Sequence, residues 1–217
     1  MTNGEALVIL HDYWRSSAAY RLRIGLNLKG AAYTLAPRDL RAGEQRADDY
    51  VAIAPQGLVP ALDTGEGVLT QSLAVLEWLD ETFPEPPLLP PDPIGRATVR
   101  AMAQVVACDI HPVNNLRILK ALRSEFGASQ DIIDAWTRRW IGEGFAALEM
   151  MVARHGGGFC FGDMVTLADV LLVPQWYNAE RFSFDAAPYP RLAAAVARCR
   201  DLPAFAAASP DVQPGAA

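Results

Sequence analysis

Chemistry in this chain would gather first around Arg15, Ser16 and Ser17, which join a short apolar run to a helical one. In an open α/β sheet, ligands collect at the carboxyl ends of the strands. The helix that follows aims its free N–H groups and its positive end at the same spot. Two hydroxyls placed there suit an anion such as a thiolate. A serine ahead of a helix is also what a plain N-cap requires. Val59-Pro60 is a second feature, because proline is tolerated only at the start or on the edge of a strand. A cis peptide at that bond would offer the Val59 main chain to a ligand. Gln71-Ser72 marks another helix start, fit either to hold a carboxylate or merely to cap the helix.

Those residues need elements to position them. Residues 7–10 form a short apolar run, read as a buried strand. From Ser17 to Leu28, Tyr20, Leu22, Ile24, Leu26 and Leu28 recur at helical spacing, and Lys29-Gly30 stops the helix. Residues 33–36 read as a strand ended by Pro37. Residues 59–62 and 68–70 flank the turn sequence DTGEG, a hairpin signal. Ser72 is expected to cap a helix over 73–82. The order is βαβ, then ββα, an α/β unit with a mixed sheet. Residues 84–93, PEPPLLPPDP, contain prolines at 84, 86, 87, 90, 91 and 93, so neither helix nor inner strand runs through them. They divide the chain into residues 1–83, a linker of 84–93, and residues 94–217.

Beyond the linker the strand signals vanish and the half reads as all-helical. Helices are expected over 94–125, bent near Pro112, over 131–154, from 167 to 173, and over 190–199. Residues 155–158, HGGG, break the second of these. Thr166 and Asp169 have capping-box spacing, so Asp169 reads as structural. The proline-bearing tail from Ser209 is expected to fray.

Composition narrows the function classes. The 217 residues are 51% hydrophobic with a net charge of −6, which excludes general disorder and disfavours nonspecific binding to nucleic acid. No apolar run reaches the roughly 18 residues of a membrane-spanning helix. The start lacks a basic stretch ahead of its apolar run, so a secretory signal is not expected. Three separated cysteines suit a reducing, cytoplasmic setting, and with only three histidines a metal site is not expected.

Taken together, the βαβ…ββα unit, the serines at its first helix, Val-Pro before the third strand, Gln-Ser before the last helix, the proline linker and the helical half resemble the glutathione transferases. RSSAAYRLRIGLNLKG (15–30), QSLAVLEWL (71–79), LLPPDP (88–93), NAERF (178–182) and Tyr189-Pro190 are similar to the zeta class, the maleylacetoacetate isomerases. CDIHPVNN (108–115) resembles the maleylpyruvate isomerase branch. The class usually reads Ser-Ser-Cys where this chain has Ser16-Ser17-Ala18, so no protein cysteine can serve there.

The resemblance implies a thioredoxin-like glutathione-binding domain, a helical substrate domain and glutathione as cofactor. It implies cis–trans isomerisation of a maleyl dicarboxylate, maleylacetoacetate or maleylpyruvate. Thiolate addition turns the double bond into a single bond, which rotates before elimination restores it. Ser16 and Ser17 would lower the thiol pKa. Gln71 and Ser72 would hold the γ-glutamyl end of glutathione, Val59 its cysteinyl part and Gln45 its glycine end. His111 and Asn115 would lie at the active site. Arg15 and Arg181 would pair with substrate carboxylates and the enolate charge, with Arg117 a further candidate. A symmetric homodimer is implied, with Asp109 reaching glutathione on the partner. General conjugation or dehalogenation of electrophiles, and a noncatalytic scaffold, are the rival readings.

Overall fold

In the computed structural model, which describes residues 8–216, the chain falls into two compact units. One comprises the residues up to Pro87 together with those from Leu202 on; the other is Leu88–Asp201.

The first unit is built on β1 (Val8–Asp12), α1 (Ser17–Leu28), β2 (Tyr33–Pro37), α2 (Asp48–Ile53), β3 (Ala61–Asp63), β4 (Val68–Thr70) and α3 (Ser72–Thr82). The sheet order is β2-β1-β3-β4. β1 runs parallel to β2 and antiparallel to β3, and β4 is antiparallel to β3, which is the mixed sheet expected. Leu7, the expected start of β1, lies outside the described residues. β3 starts at Ala61 rather than at Val59, and Val59 and Pro60 form the approach to it.

Helix α1 departs from simple amphipathicity. Arg21 and Arg23 are 2% and 0% exposed, so the polar side of the helix is covered as well as the apolar one. The cover over Arg23 is α9 (Pro203–Ala208), part of the tail expected in the helical half. Arg23 Nη1 meets Asp12 Oδ1 at 2.6 Å, Nε donates to the Ala208 carbonyl at 2.9 Å and Nη2 to the Trp14 carbonyl at 3.0 Å. One guanidinium thus ties the end of β1, the β1–α1 loop and the end of α9. Across the helix, a Cβ on Gly25 would sit 2.4 Å from Leu76 Cδ2, so glycine lets α1 settle onto α3. The expected fraying from Ser209 is not found. Residues Pro210–Val212 make a 3₁₀ turn, Pro210 is buried, and Gln213 Nε2 donates to the carbonyls of Ala207 and Ser209.

The second unit contains α4 (Pro93–Gln104), α5 (Leu116–Phe126), α6 (Gln130–His155), α7 (Leu167–Glu180) and α8 (Pro190–Arg200). The single helix expected over 94–125 is four pieces. A π-helical stretch, Val105–Ile110, follows α4, and a 3₁₀ turn, Pro112–Asn114, precedes α5. Pro112 lacks the N–H that an unbroken helix needs there. Helix α7 is buried throughout 167–176, as its unbroken apolar run requires, and outlasts the expected stop at 173. Phe145 of α6 stacks on Trp176 at 5.5 Å and meets Phe184 and Tyr189 edge-on.

Candidate active site

Sheet register brings the N-terminal candidates to one end. His11 of β1 pairs with Ala61 of β3, which pairs with Thr70 of β4. The segments 13–17, 58–60 and 71–72 therefore leave the same rim of the sheet. Ser16 is the N-cap of α1: its Oγ accepts the Ala19 N–H at 3.2 Å. A hydroxyl that accepts from the helix still has its own proton to donate. Ser17 is the first residue of α1. Arg15 is exposed, its guanidinium 5.5 Å from the Trp14 ring centroid.

The Val59–Pro60 peptide is cis. Leu58, just ahead of it, is held by Tyr50, whose hydroxyl donates to the Leu58 carbonyl at 2.7 Å. Burial pushes the Tyr50 phenol up to about 12, so it stays a donor at neutral pH. The Val59 main chain makes no hydrogen bond with a described residue. Gln45 lies in the 3₁₀ turn Glu44–Arg46, and its carbonyl packs so close to Gly57 that a Cβ there would be 2.8 Å away. Gly57 also has φ +57°, which glycine alone adopts without strain. Gln45 Oε1 is buried and has no partner among the described residues.

At the last strand's end the sequence reading needs correction. Ser72 is the first residue of α3, not its cap; the cap position is Gln71, which makes no side-chain capping bond. Gln71 has φ 69°, a disfavoured region for a side-chain-bearing residue. Its Nε2 donates to Gln56 Oε1 at 2.6 Å. Ser72 Oγ accepts from Arg21 Nη1 at 3.1 Å, so the start of α3 is tied to α1 through a buried arginine.

In the second unit, His111 is half-buried and its main-chain N–H donates to the Val106 carbonyl. Asn115 caps α5 by accepting the Arg117 N–H at 3.1 Å, and Arg117 is exposed. Arg181 closes α7; its Nη1 donates to Asn178 Oδ1 at 3.3 Å and its guanidinium lies 5.9 Å from the Phe182 ring centroid. Burial pushes the thiols of Cys160 and Cys199 up, so neither supplies a thiolate at neutral pH. No cluster fit to hold a metal ion occurs among the described residues.

A maleylpyruvate isomerase of Ralstonia is 50% identical over 96% of this chain and 99% of its own. A holo structure of a maleylpyruvate isomerase, described as a bacterial glutathione transferase in the zeta class, matches with a TM-score of 0.94 at 50% identity, covering 96% of this chain and 100% of that one. The chain belongs to the zeta class of glutathione transferases. Residues 15–82 of this zeta-class chain match the glutathione S-transferase N-terminal domain family. A maleylacetoacetate isomerase of Methylobacterium extorquens, solved with malonate and glutathione bound, matches at TM-score 0.93 and 42% identity, covering 96% of this chain and 99% of that one. The zeta-class fold accounts for two residues that sequence reasoning passed over, Tyr50 and Gln56. Neither stands in a motif, and only the folded chain brings them against Leu58 and Gln71. Arg21 carried a signal: a charged residue within the apolar run of α1 marks a buried partner.

Proposed function

We propose that the protein is a glutathione-dependent cis–trans isomerase of a maleyl dicarboxylate, maleylacetoacetate or maleylpyruvate. One observation carries the reading. Ser16 and Ser17, the unpaired Val59 main chain and Gln71-Ser72 share one rim of the sheet, in a chain half identical to a named isomerase. Glutathione lies along that rim. Val59 pairs with its cysteinyl main chain, Gln71 and Ser72 hold its γ-glutamyl end, and the lone Gln45 Oε1 faces its glycine end. The positive φ of Gln71 supports this, since strained backbone concentrates at ligand sites.

Ser16 donates its hydroxyl proton to the glutathione thiolate, assisted by Ser17 and the positive end of α1. The thiolate adds to the cis double bond. The carbon–carbon bond rotates, and elimination of the thiolate leaves the trans product. Arg15 and Arg181 pair with the carboxylates and the enolate that forms on addition, with Arg117 in support. His111 and Asn115 border the site. The protein works in the cytoplasm as a homodimer, with the exposed Asp109 reaching the partner's glutathione. The assay is direct: maleylacetoacetate and maleylpyruvate should each be tested for conversion to the trans isomer with and without glutathione. Turnover of neither, or turnover of either at an equal rate without glutathione, refutes the proposal.

A further inference from the structure

At the carboxyl ends of β1 and β2 lies a cavity of about 150 Å³ that none of the glutathione contacts above uses. Asp12, Tyr13 and Trp14 form one side, Arg38 and Arg41 another, and Pro214 and Gly215 of the tail a third. Tyr13 is 7% exposed, and its hydroxyl has no partner among the described residues. The Trp14 Nε1 is likewise buried and unpartnered. Such groups are costly unless something meets them.

The chemistry of the orphans specifies what that is. An indole N–H only donates, so its partner must be an acceptor. Arg38 commits Nη1 to Asp49 and Arg41 commits Nε to Asp39, which leaves each guanidinium further N–H groups. The two lining carboxylates are already engaged: Asp12 by Arg23, and Asp39 by the side chain and main-chain N–H of Arg41. The unfilled demand is therefore for a negatively charged acceptor. The volume is well below the ~300 Å³ at which sites for drug-sized ligands begin, so the acceptor is short.

We propose that this cavity is an accessory binding site for a short aliphatic carboxylate. Its oxygens receive Tyr13 Oη, Trp14 Nε1 and the guanidinium edges, and its carbon chain lies against Leu35, Pro37 and Pro214. The tail forms one wall.

Acetate is the probe. Full-length protein should be titrated at constant ionic strength, with chloride and acetamide as controls, following thermal unfolding and tryptophan fluorescence. A ligand that binds only the folded state raises its melting temperature in a saturable way. Acetate is expected to do so, and chloride and acetamide are not. Tyr13→Phe removes one oxygen that has no partner among the described residues, so it should leave the basal melting temperature unchanged or raised. It should weaken acetate by about tenfold. Arg41→Met should weaken acetate to a similar degree, and Trp14→Phe should abolish the fluorescence change. Ser16→Ala disables the proposed thiolate site but should bind acetate like wild type, so failure of the isomerase reading and failure of this one are separable. Equal effects of acetate and acetamide, no effect beyond that of chloride, or wild-type acetate binding by Tyr13→Phe would overturn the proposal. If Arg41→Met does not fold, Tyr13→Phe decides alone.

Discussion

Ser16 has one observed duty and one proposed, and substitution can separate them. Its oxygen caps α1, and its proton is free for a sulfur. Ser16→Ala loses both and should destabilise the fold by about 1 kcal/mol while cutting turnover by about 10²–10³. Ser16→Asp keeps a capping oxygen but places a negative charge beside the thiolate. It should hold the melting temperature near wild type yet raise the pH at which bound glutathione ionises, read by thiolate absorbance. Arg181 is proposed to serve substrate capture rather than glutathione. Arg181→Met should keep glutathione affinity and lose roughly 30- to 1,000-fold in kcat/KM for the diacid, but little for a neutral diester. Equal losses for the two would make its role one of packing. His11 is 8% exposed on β1, edge-on to Tyr50, and burial first, then Arg38, lowers its pKa. The unfolded chain then takes up a proton near pH 6.5 that the folded chain refuses, so stability falls as pH drops through that value. His11→Phe keeps the ring contact, and its urea midpoint should vary less between pH 7 and 5 than that of wild type. The arginine and serine positions were legible in the sequence because they stand in motifs. The Tyr13 and Trp14 polar atoms were not, since a residue's lack of a partner appears only once the chain is folded.

Helix starts organise much of this chain, and the one at α7 is the most enclosed. Asp169 Oδ2 accepts both the N–H and the hydroxyl of Thr166 at 2.9 Å, and Oδ1 accepts the Cys160 N–H at 2.8 Å. Burial pushes its carboxyl up, against the pull of those donors. Asp169→Ala would strand three buried donors and should cost about 3 kcal/mol, seen as a lower urea midpoint with an unchanged slope. A variant as stable as wild type would show that water replaces the carboxylate. The capping box was visible in the spacing of Thr166 and Asp169, as α1 was in its apolar period. The break between α4 and α5 was only half visible. Pro112 announces a bend, but the π-helical Val105–Ile110 has helical periodicity and no breaking residue. Ser72 was misplaced by one position because a positive φ at Gln71 replaces the usual serine cap. No local rule expects that geometry from glutamine.

At the scale of the molecule, the proposed homodimer should sediment at twice the 23.5 kDa chain mass at assay concentrations. A fully active species of the single-chain mass would exclude it. The tail was the least legible part of the fold. Its short Ala- and Pro-rich sequence says nothing of where it packs, and a long-range partner, the buried Arg23, decides that. The return of residues from 202 to the first unit makes the helical unit, topologically, an insertion into the first. On the ribosome, residues 88–201 emerge before the last wall of the first unit exists. Domains generally mature in the order in which they are synthesised. Here the helical unit can finish first, while Arg23 and Asp12 wait for α9 to enclose them. The competence of the N-terminal half to grip its cofactor would then be among the last properties a nascent chain acquires.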